Sequence, residues 1–164
     1  NSYKRMNRLI QKERPLTHSL TQLQWAYLAG IIDGEGTIGM TKIIDKKRNH
    51  PVFRGYILIS NTYEDIINTV YDWLGVGYIR SSMNERATFR DGIKRKRLFI
   101  YSLEQLVFVE EVLLNIISYL HIKKKQALNL LMWLKDRQHN DIETNDKYHK
   151  RSKELNGYGE DIRL

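Results

Sequence analysis

Apolar residues recur along the chain with two periods, one typical of helices and one typical of strands. Thr21 and Gln24 match a capping box, which predicts a first helix that ends near Asp33. Alternating patterns over 37–44 and 52–60 follow, and the polar segment DKKRNHP joins them. The first part of the chain is therefore predicted to form a helix and a β-hairpin.

The same order of helix and hairpin is then repeated. Helical spacing predicts a second helix over about 63–74, which Gly75 ends. Two further strands are predicted over 76–82 and 97–102, on either side of the charged segment MNERATFRDGIKRK. This order predicts an α+β domain with one four-stranded antiparallel sheet.

Two more helices are predicted after the second hairpin. Ser102 and Gln105 repeat the capping-box pattern and predict an apolar helix that ends near Leu120. A fourth helix is predicted over about 123–135, and a short one near 147–155. The fourth helix is expected to turn four residues inward: Ala127, Leu128, Leu131 and Leu134. We divide the chain into a basic N-terminal arm (1–20), a core (21–138) and a polar C-terminal tail of the same domain (139–164).

Composition narrows the class of protein. The 164 residues are 41% hydrophobic, which is enough for one domain with its own core. Lys and Arg number 27 against 19 Asp and Glu, and the resulting net charge of +8 favours a polyanionic partner. No apolar run approaches the roughly 20 residues of a membrane span, so we expect nucleic acid rather than a membrane. Because cysteine is absent, a metal ion would need oxygen or histidine ligands.

The N-terminal residues have no apolar core of a signal peptide and no transit-peptide character. Lys, Ile, Asn and Tyr are abundant, which suits an AT-rich gene. We therefore expect a protein encoded in an organelle, either a mitochondrion or a chloroplast.

Basic residues concentrate in both predicted hairpins. They are Lys42, Lys46, Lys47, Arg48 and Arg54 in the first, and Arg80, Arg86, Arg90, Lys94, Arg95, Lys96 and Arg97 in the second. On the second strand, alternation separates Phe53, Ile57 and Ile59 from Arg54, Tyr56, Leu58 and Ser60. A two-stranded ribbon fits the DNA major groove, so the second set is a candidate nucleic-acid surface. The alternative is that charged hairpins are solvated edges that prevent aggregation.

The segment LAGIIDGEG, residues 28–36, combines a bare helix face with two acids. Ala26, Gly30 and Gly34 recur every four residues, so a second helix could approach this face closely. Since the motif occurs once, the expected partner is the same helix of a second copy. Carboxylates meeting there would need divalent cations between them, and Glu35 is the expected ligand. The alternative is that Asp33 and Glu35 only end a helix in solvent.

LAGIIDGEG resembles the signature of the LAGLIDADG homing endonucleases. LGVGYIR and LHIKKKQALNL also resemble the single-motif, homodimeric branch of that family, whose members are intron-encoded DNA endonucleases. The resemblance covers about 23–134. It implies an αββαββα core with C-terminal helices and a homodimer in which Ala26, Gly30 and Asp33 lie at the interface.

The resemblance also implies an active site. Glu35 and the carbonyl of Gly34 are expected to bind magnesium, whereas Asp33 is structural. Asn61 is expected either to order the water nucleophile or to be the N-cap of the second helix. Lys123 is expected to offset charge on the scissile phosphate.

The implied activity is a magnesium-dependent double-strand break, with 3′ overhangs, at a long and partly palindromic site on double-stranded DNA. The implied DNA-facing residues are Thr37, Gly39, Thr41, Ile43, Arg54, Tyr56, Leu58, Arg80, Ser82, Arg95 and Arg97, with Lys46 and Lys47 on phosphates. Two alternatives stay open: an intron maturase that binds RNA, and a non-catalytic DNA-binding regulator.

Overall fold

The computed structural model describes residues 20–47, 49–82, 97–137 and 139–157. Within these ranges the chain forms five helices and four strands. In chain order they are α1 (Gln22–Glu35), β1 (Gly36–Asp45), β2 (His50–Asn61), α2 (Glu64–Leu74), β3 (Tyr78–Ser82), β4 (Leu98–Leu103), α3 (Leu106–Ile116), α4 (Lys124–Asp136) and α5 (Ile142–Leu155). The predicted α+β class and the αββαββα order with C-terminal helices are confirmed.

The four strands form one antiparallel sheet in the order β1-β2-β4-β3. Ile38 opposes Ile57, and both are buried with Tyr101 in the core beneath the helices. Because side chains alternate along a strand, the intervening residues point to the other side of the sheet. We call that side the open face, and its members are Thr37, Gly39, Thr41, Ile43, Asp45, His50, Val52, Arg54, Tyr56, Leu58, Ser60, Tyr78, Arg80, Ser82, Leu98, Ile100 and Ser102.

The capping box at the start of α1 is confirmed. Thr21 Oγ1 accepts a hydrogen bond from the Gln24 N–H at 3.3 Å, and Gln24 Oε1 accepts one from the Thr21 N–H at 2.9 Å. The helix continues to Glu35, so the prediction that it ends near Asp33 is wrong by two residues. Gly36 is the C-cap, where the backbone becomes extended, and glycine is required there because a Cβ atom would lie 2.7 Å from the carbonyl oxygen of Ile32.

The second predicted capping box is wrong. Ser102 is a buried member of β4, paired with Leu58 on one side and Tyr78 on the other. The N-cap of α3 is Gln105, whose side chain makes no capping hydrogen bond, and the helix ends at Ile116. Pairing within the sheet has overridden a local sequence pattern.

The inward face of α4 also differs from the expectation. Ala127 and Leu134 are buried as predicted, but Leu128 is 45% exposed. Leu130 and Trp133 are buried in its place. The helix is turned toward α5, which the sequence predicted only as a shorter segment.

Helix α5 covers the outer edge of β1. The Met40 N–H donates to Ser152 Oγ at 3.0 Å, and Asn156 Nδ2 donates to the Ile38 carbonyl oxygen at 3.0 Å. Lys42 and Asp146 form an ion pair at 2.7 Å beside these bonds. Two backbone groups that an edge strand would leave unpaired are thus satisfied by side chains of the C-terminal segment.

No helix in the described part of the chain is long and apolar enough to cross a membrane.

Candidate functional site

The two acids of the motif lie at the junction of α1 and β1. Glu35 is the last residue of α1 and is exposed, as is Gly34 before it. Gly36 opposes Ile59, so the junction lies at the end of the sheet where β2 finishes. The structure therefore presents the Glu35 side chain to solvent at one end of the open face.

Asp33 is engaged within its own chain. Its Oδ2 accepts a hydrogen bond from the His121 N–H at 2.7 Å, and its Oδ1 accepts from the Ile122 and Lys123 N–H groups at 3.2 and 2.9 Å. Burial alone would raise the pKa of Asp33, but these three donors hold it below its ordinary value. The carboxylate thus holds the three residues that lead into α4, consistent with its expected structural role.

Lys123 is brought to the same junction. It is the N-cap residue of α4, and its Nζ donates to the Asp33 carbonyl oxygen at 2.6 Å. This oxygen belongs to the last turn of α1, where the helix dipole favours a positive charge. Lys123, which is expected to offset phosphate charge, is therefore bonded to a carbonyl group two residues before Glu35 in α1.

Asn61 has a local partner. It is the last residue of β2, and its Oδ1 accepts a hydrogen bond from the Tyr63 N–H at 2.9 Å. The N-cap of α2 is Tyr63, so the expectation that Asn61 is that N-cap is wrong. Alternation places Asn61 with Ile59, on the helix side of the sheet. Its expected role with the water nucleophile stays a prediction.

One face of α1 is bare and exposed. A Cβ atom added at Gly30 or Gly34 would meet nothing within 4 Å. Leu23 is 83% exposed and Tyr27 is 56% exposed, seven and three residues before Gly30 respectively. Ala26 is half-buried beside them. Apolar side chains at helical spacing, continued by glycines, form a surface that a second helix would fit.

The carboxylates available for a metal ion are few. Among the described residues there is no group of three or more His, Asp or Glu that could hold a cation. Magnesium is commonly bound by one or two carboxylates, several waters and substrate phosphates rather than by a complete protein cage. The exposed Glu35 at a helix end that also presents carbonyl oxygens fits that pattern of binding.

The open face brings together most of the residues expected to face DNA. Thr37 opposes Leu58, Gly39 opposes Tyr56 and Thr41 opposes Arg54, so each pair lies on the same side of the sheet. Other expected residues on this side are Ile43, Arg80 and Ser82. Arg54 and Arg80 are exposed, which leaves both guanidinium groups accessible to a polyanion.

The remaining expected DNA contacts lie at the margins. Lys46 and Lys47 are exposed in the turn between β1 and β2. Arg97 is exposed one residue before β4, where continued alternation places it with Phe99 on the helix side. Arg95 lies outside the described residues. The DNA contacts of all four stay predictions.

Tyr78 is an exposed open-face residue that was not among those expected to face DNA. Tyr78 is 44% exposed and its hydroxyl donates to Glu104 Oε1 at 2.7 Å. It precedes Arg80 by two residues, so the strand period that selected Arg80 also selects Tyr78.

Comparison with solved structures identifies the fold. The chain is similar to the homing endonuclease I-CvuI, crystallised with DNA and Mg, with a TM-score of 0.65 and 18% identity over 87% of this chain and 86% of that one. It is also similar to the archaeal intron-encoded homing endonuclease I-Vdi141I complexed with DNA, with a TM-score of 0.62 and 16% identity over 85% and 86%. The meganuclease I-SmaMI, bound to uncleavable DNA, gives a TM-score of 0.59 and 15% identity over 85% of this chain and 45% of that one.

Comparison of the sequence with protein-family models and with curated proteins finds no match. The identification therefore rests on three-dimensional structure. The chain has the LAGLIDADG homing endonuclease fold. It spans most of the length of I-CvuI and I-Vdi141I and about half that of I-SmaMI.

Proposed function

We propose that this chain is a site-specific DNA endonuclease that works as a homodimer and requires a divalent cation, with magnesium as the expected ion. The observation that carries the proposal is the junction of α1 and β1. There an exposed Glu35 follows a bare helix face, at one end of a sheet face that carries exposed arginines. Similar folds have been crystallised with DNA, which supports the same substrate class here.

The exposed face of α1 supports the homodimer. Packing Gly30 and Gly34 against the same residues of a second copy would bury Leu23 and Tyr27, which one copy leaves exposed. The two Glu35 side chains would then lie near the twofold axis. Each copy supplies one carboxylate, and together they meet the usual magnesium requirement when DNA phosphates complete the site.

The residues of the junction have separate tasks. Glu35 and the Gly34 carbonyl would hold the cation, which supplies charge neutralisation and an activated water for phosphodiester hydrolysis. Lys123, held at the α1 carboxyl end, would stabilise negative charge that develops on the phosphate. Asp33 fixes the segment that carries Lys123. One site in each copy would cut one strand, which gives a double-strand break with the expected 3′ overhangs.

The open face would read the target. Arg54 and Arg80 can donate to base edges in the major groove, while Lys46 and Lys47 suit phosphates. Two copies related by a twofold axis imply a long target whose halves resemble each other. The organellar origin expected from composition belongs to the same proposal.

Selection of cleaved sequences from a randomised duplex library in magnesium tests the activity. We expect one partly palindromic consensus, cut on both strands, and end mapping of the products would give the overhang. Glu35→Gln should abolish cleavage while it preserves binding to the consensus. Glu154→Gln removes the same charge from an exposed position at the end of α5 and should cut normally. Cleavage retained by Glu35→Gln would remove Glu35 from the mechanism.

A further inference from the structure

Gly39 and Tyr56 form an unusual cross-strand pair on the open face. They are direct partners in the β1–β2 ladder. Gly39 is buried although it lies on the side of the sheet that the helices do not cover, whereas its strand neighbour Thr41 is exposed. Something on the open face must therefore cover Gly39.

The Tyr56 ring is that cover. A Cβ atom at Gly39 would point out of the open face and lie 2.6 Å from Tyr56 Oη, 2.8 Å from Cζ and 3.4 Å from Cε1. The phenol end of the side chain thus lies directly over the glycine. Tyr56 crosses from β2 onto β1 with its ring along the sheet, and it is itself half-buried in this position.

Glycine is needed at position 39 to make room for the Tyr56 ring and not to allow a special backbone conformation. Among the described residues, the glycines with positive φ are Gly75, Gly77 and Gly157, so Gly39 has a backbone conformation that any residue can adopt. A glycine in a strand interior weakens the strand because it adds conformational entropy to the unfolded chain and packs no side chain. The space it leaves is filled by an aromatic ring, an arrangement known to compensate for glycines in sheets.

A tyrosine whose phenol end lies over the neighbouring strand presents the carbon atoms of its ring, more than its hydroxyl group, to whatever the open face binds. If the same side chain extended perpendicular to the sheet, its hydroxyl group would be the outermost atom. In the major groove only thymine presents a methyl group, and apolar side-chain surface is the usual contact for it. The exposed Arg54 and Thr41 beside the ring offer donors for the neighbouring phosphate or base.

We propose that Tyr56, whose side chain extends along the sheet over Gly39, reads the thymine methyl group in each half of the DNA target. Gly39 is the positioning residue in this pair, and Tyr56 makes the contact. The inference rests on the proposed function, because it assigns one specificity element of the same DNA-binding face.

Replacement of each thymine by deoxyuridine, one position at a time, in the selected target tests the pair. Uracil removes only the methyl group and keeps every hydrogen-bonding group. For the wild-type protein we expect about fourfold weaker binding at one thymine in each half-site, the amount that burial of one methyl group predicts. At every other thymine, replacement by uracil should either leave the affinity unchanged or have an effect that Tyr56→Ala does not alter.

Three variants distinguish the role of the Tyr56 ring from that of Gly39. Tyr56→Phe keeps the ring face and should keep the difference between thymine and uracil, whereas Tyr56→Ala should abolish it. Gly39→Ala should also abolish it, because the new Cβ displaces the phenol end. The displaced atoms are at the far end of a flexible side chain, so the variant should fold, which thermal denaturation would verify.

Uniform indifference of the wild-type protein to uracil would overturn the proposal. So would a methyl effect that survives in both Tyr56→Ala and Gly39→Ala. If Gly39→Ala fails to fold, the comparison of Tyr56→Ala with Tyr56→Phe still decides whether the ring reads the methyl group. A wild-type protein that selects no DNA sequence at all would instead refute the proposed function, so the two failures are distinguishable.

Discussion

The Asp33 carboxylate joins the last turn of α1 to the segment before α4 through three hydrogen bonds, and its removal has a measurable cost. Asp33→Ala leaves the N–H groups of residues 121–123, just before α4, without their acceptor. A typical intramolecular hydrogen bond contributes about 0.5–1.5 kcal/mol, and loss of a negative charge at a helix N-terminus costs about 0.3–1 kcal/mol. We therefore expect the free energy of unfolding to fall by about 1–3 kcal/mol, with faster hydrogen exchange at residues 121–123.

A second aspartate provides the matched control. Asp141 caps α5, where its Oδ1 accepts a hydrogen bond from the Thr144 N–H at 2.7 Å. Asp141→Ala should also lower the free energy of unfolding, because it removes the N-cap of α5. Only Asp33→Ala releases the segment that carries Lys123, so only this variant should slow cleavage, by about tenfold or more.

The pH dependence of the Asp33 effect has a definite sign. The folded-state pKa of Asp33 lies below its ordinary value, so its stabilisation is present above the ordinary carboxyl pKa and is lost as the pH falls through the lowered value. The stability difference between the wild type and Asp33→Ala should therefore shrink in acid. Equal slowing of cleavage by Asp33→Ala and Asp141→Ala, or unchanged exchange at 121–123, would refute the reasoning.

Two further predictions concern the exposed helix face and the sheet edge. Gly30→Leu should convert a dimer into monomers in analytical ultracentrifugation because it places a bulky side chain on the bare face of α1; a monomeric wild type would contradict this interface. Ser152→Ala should lower the free energy of unfolding in urea by about 1–3 kcal/mol, since it leaves the buried Met40 N–H without its acceptor. Ser152→Thr, which keeps the hydroxyl, is its control, and equal destabilisation by both would indicate a packing effect instead.

The fold was predictable wherever a local signal agreed with the tertiary structure. Thr21 and Gln24 start α1 through a bond pattern that involves neighbouring residues only, and strand alternation identified the open face. The same capping pattern at Ser102 was misleading, because that residue lies in a strand between two partners. A four-residue pattern carries no information about such pairing.

The sequence supplied candidate site residues but not the contacts between them. The hydrogen bond between Lys123 and the Asp33 carbonyl group joins residues 90 positions apart, and the local sequence around either residue does not predict it. The length of α5 was underestimated for a related reason: Ser152 Oγ accepts a hydrogen bond from the backbone of β1 and Asn156 Nδ2 donates one to it, and neither contact is visible in the sequence. Hydrophobic periodicity does not register contacts of that kind.

The hydrogen bonds by which Ser152 and Asn156 cover the edge of β1 constrain how two copies of this fold can be joined in one polypeptide. A tandem version about twice as long must join the end of one copy to the start of α1 in the next. The last of these hydrogen bonds along the chain comes from Asn156. A connecting segment that began directly after α4 would therefore leave the edge of β1 in the first copy unpaired and open to strand exchange. We therefore expect a working single-chain fusion to retain the first copy through Asn156, and shorter fusions to aggregate.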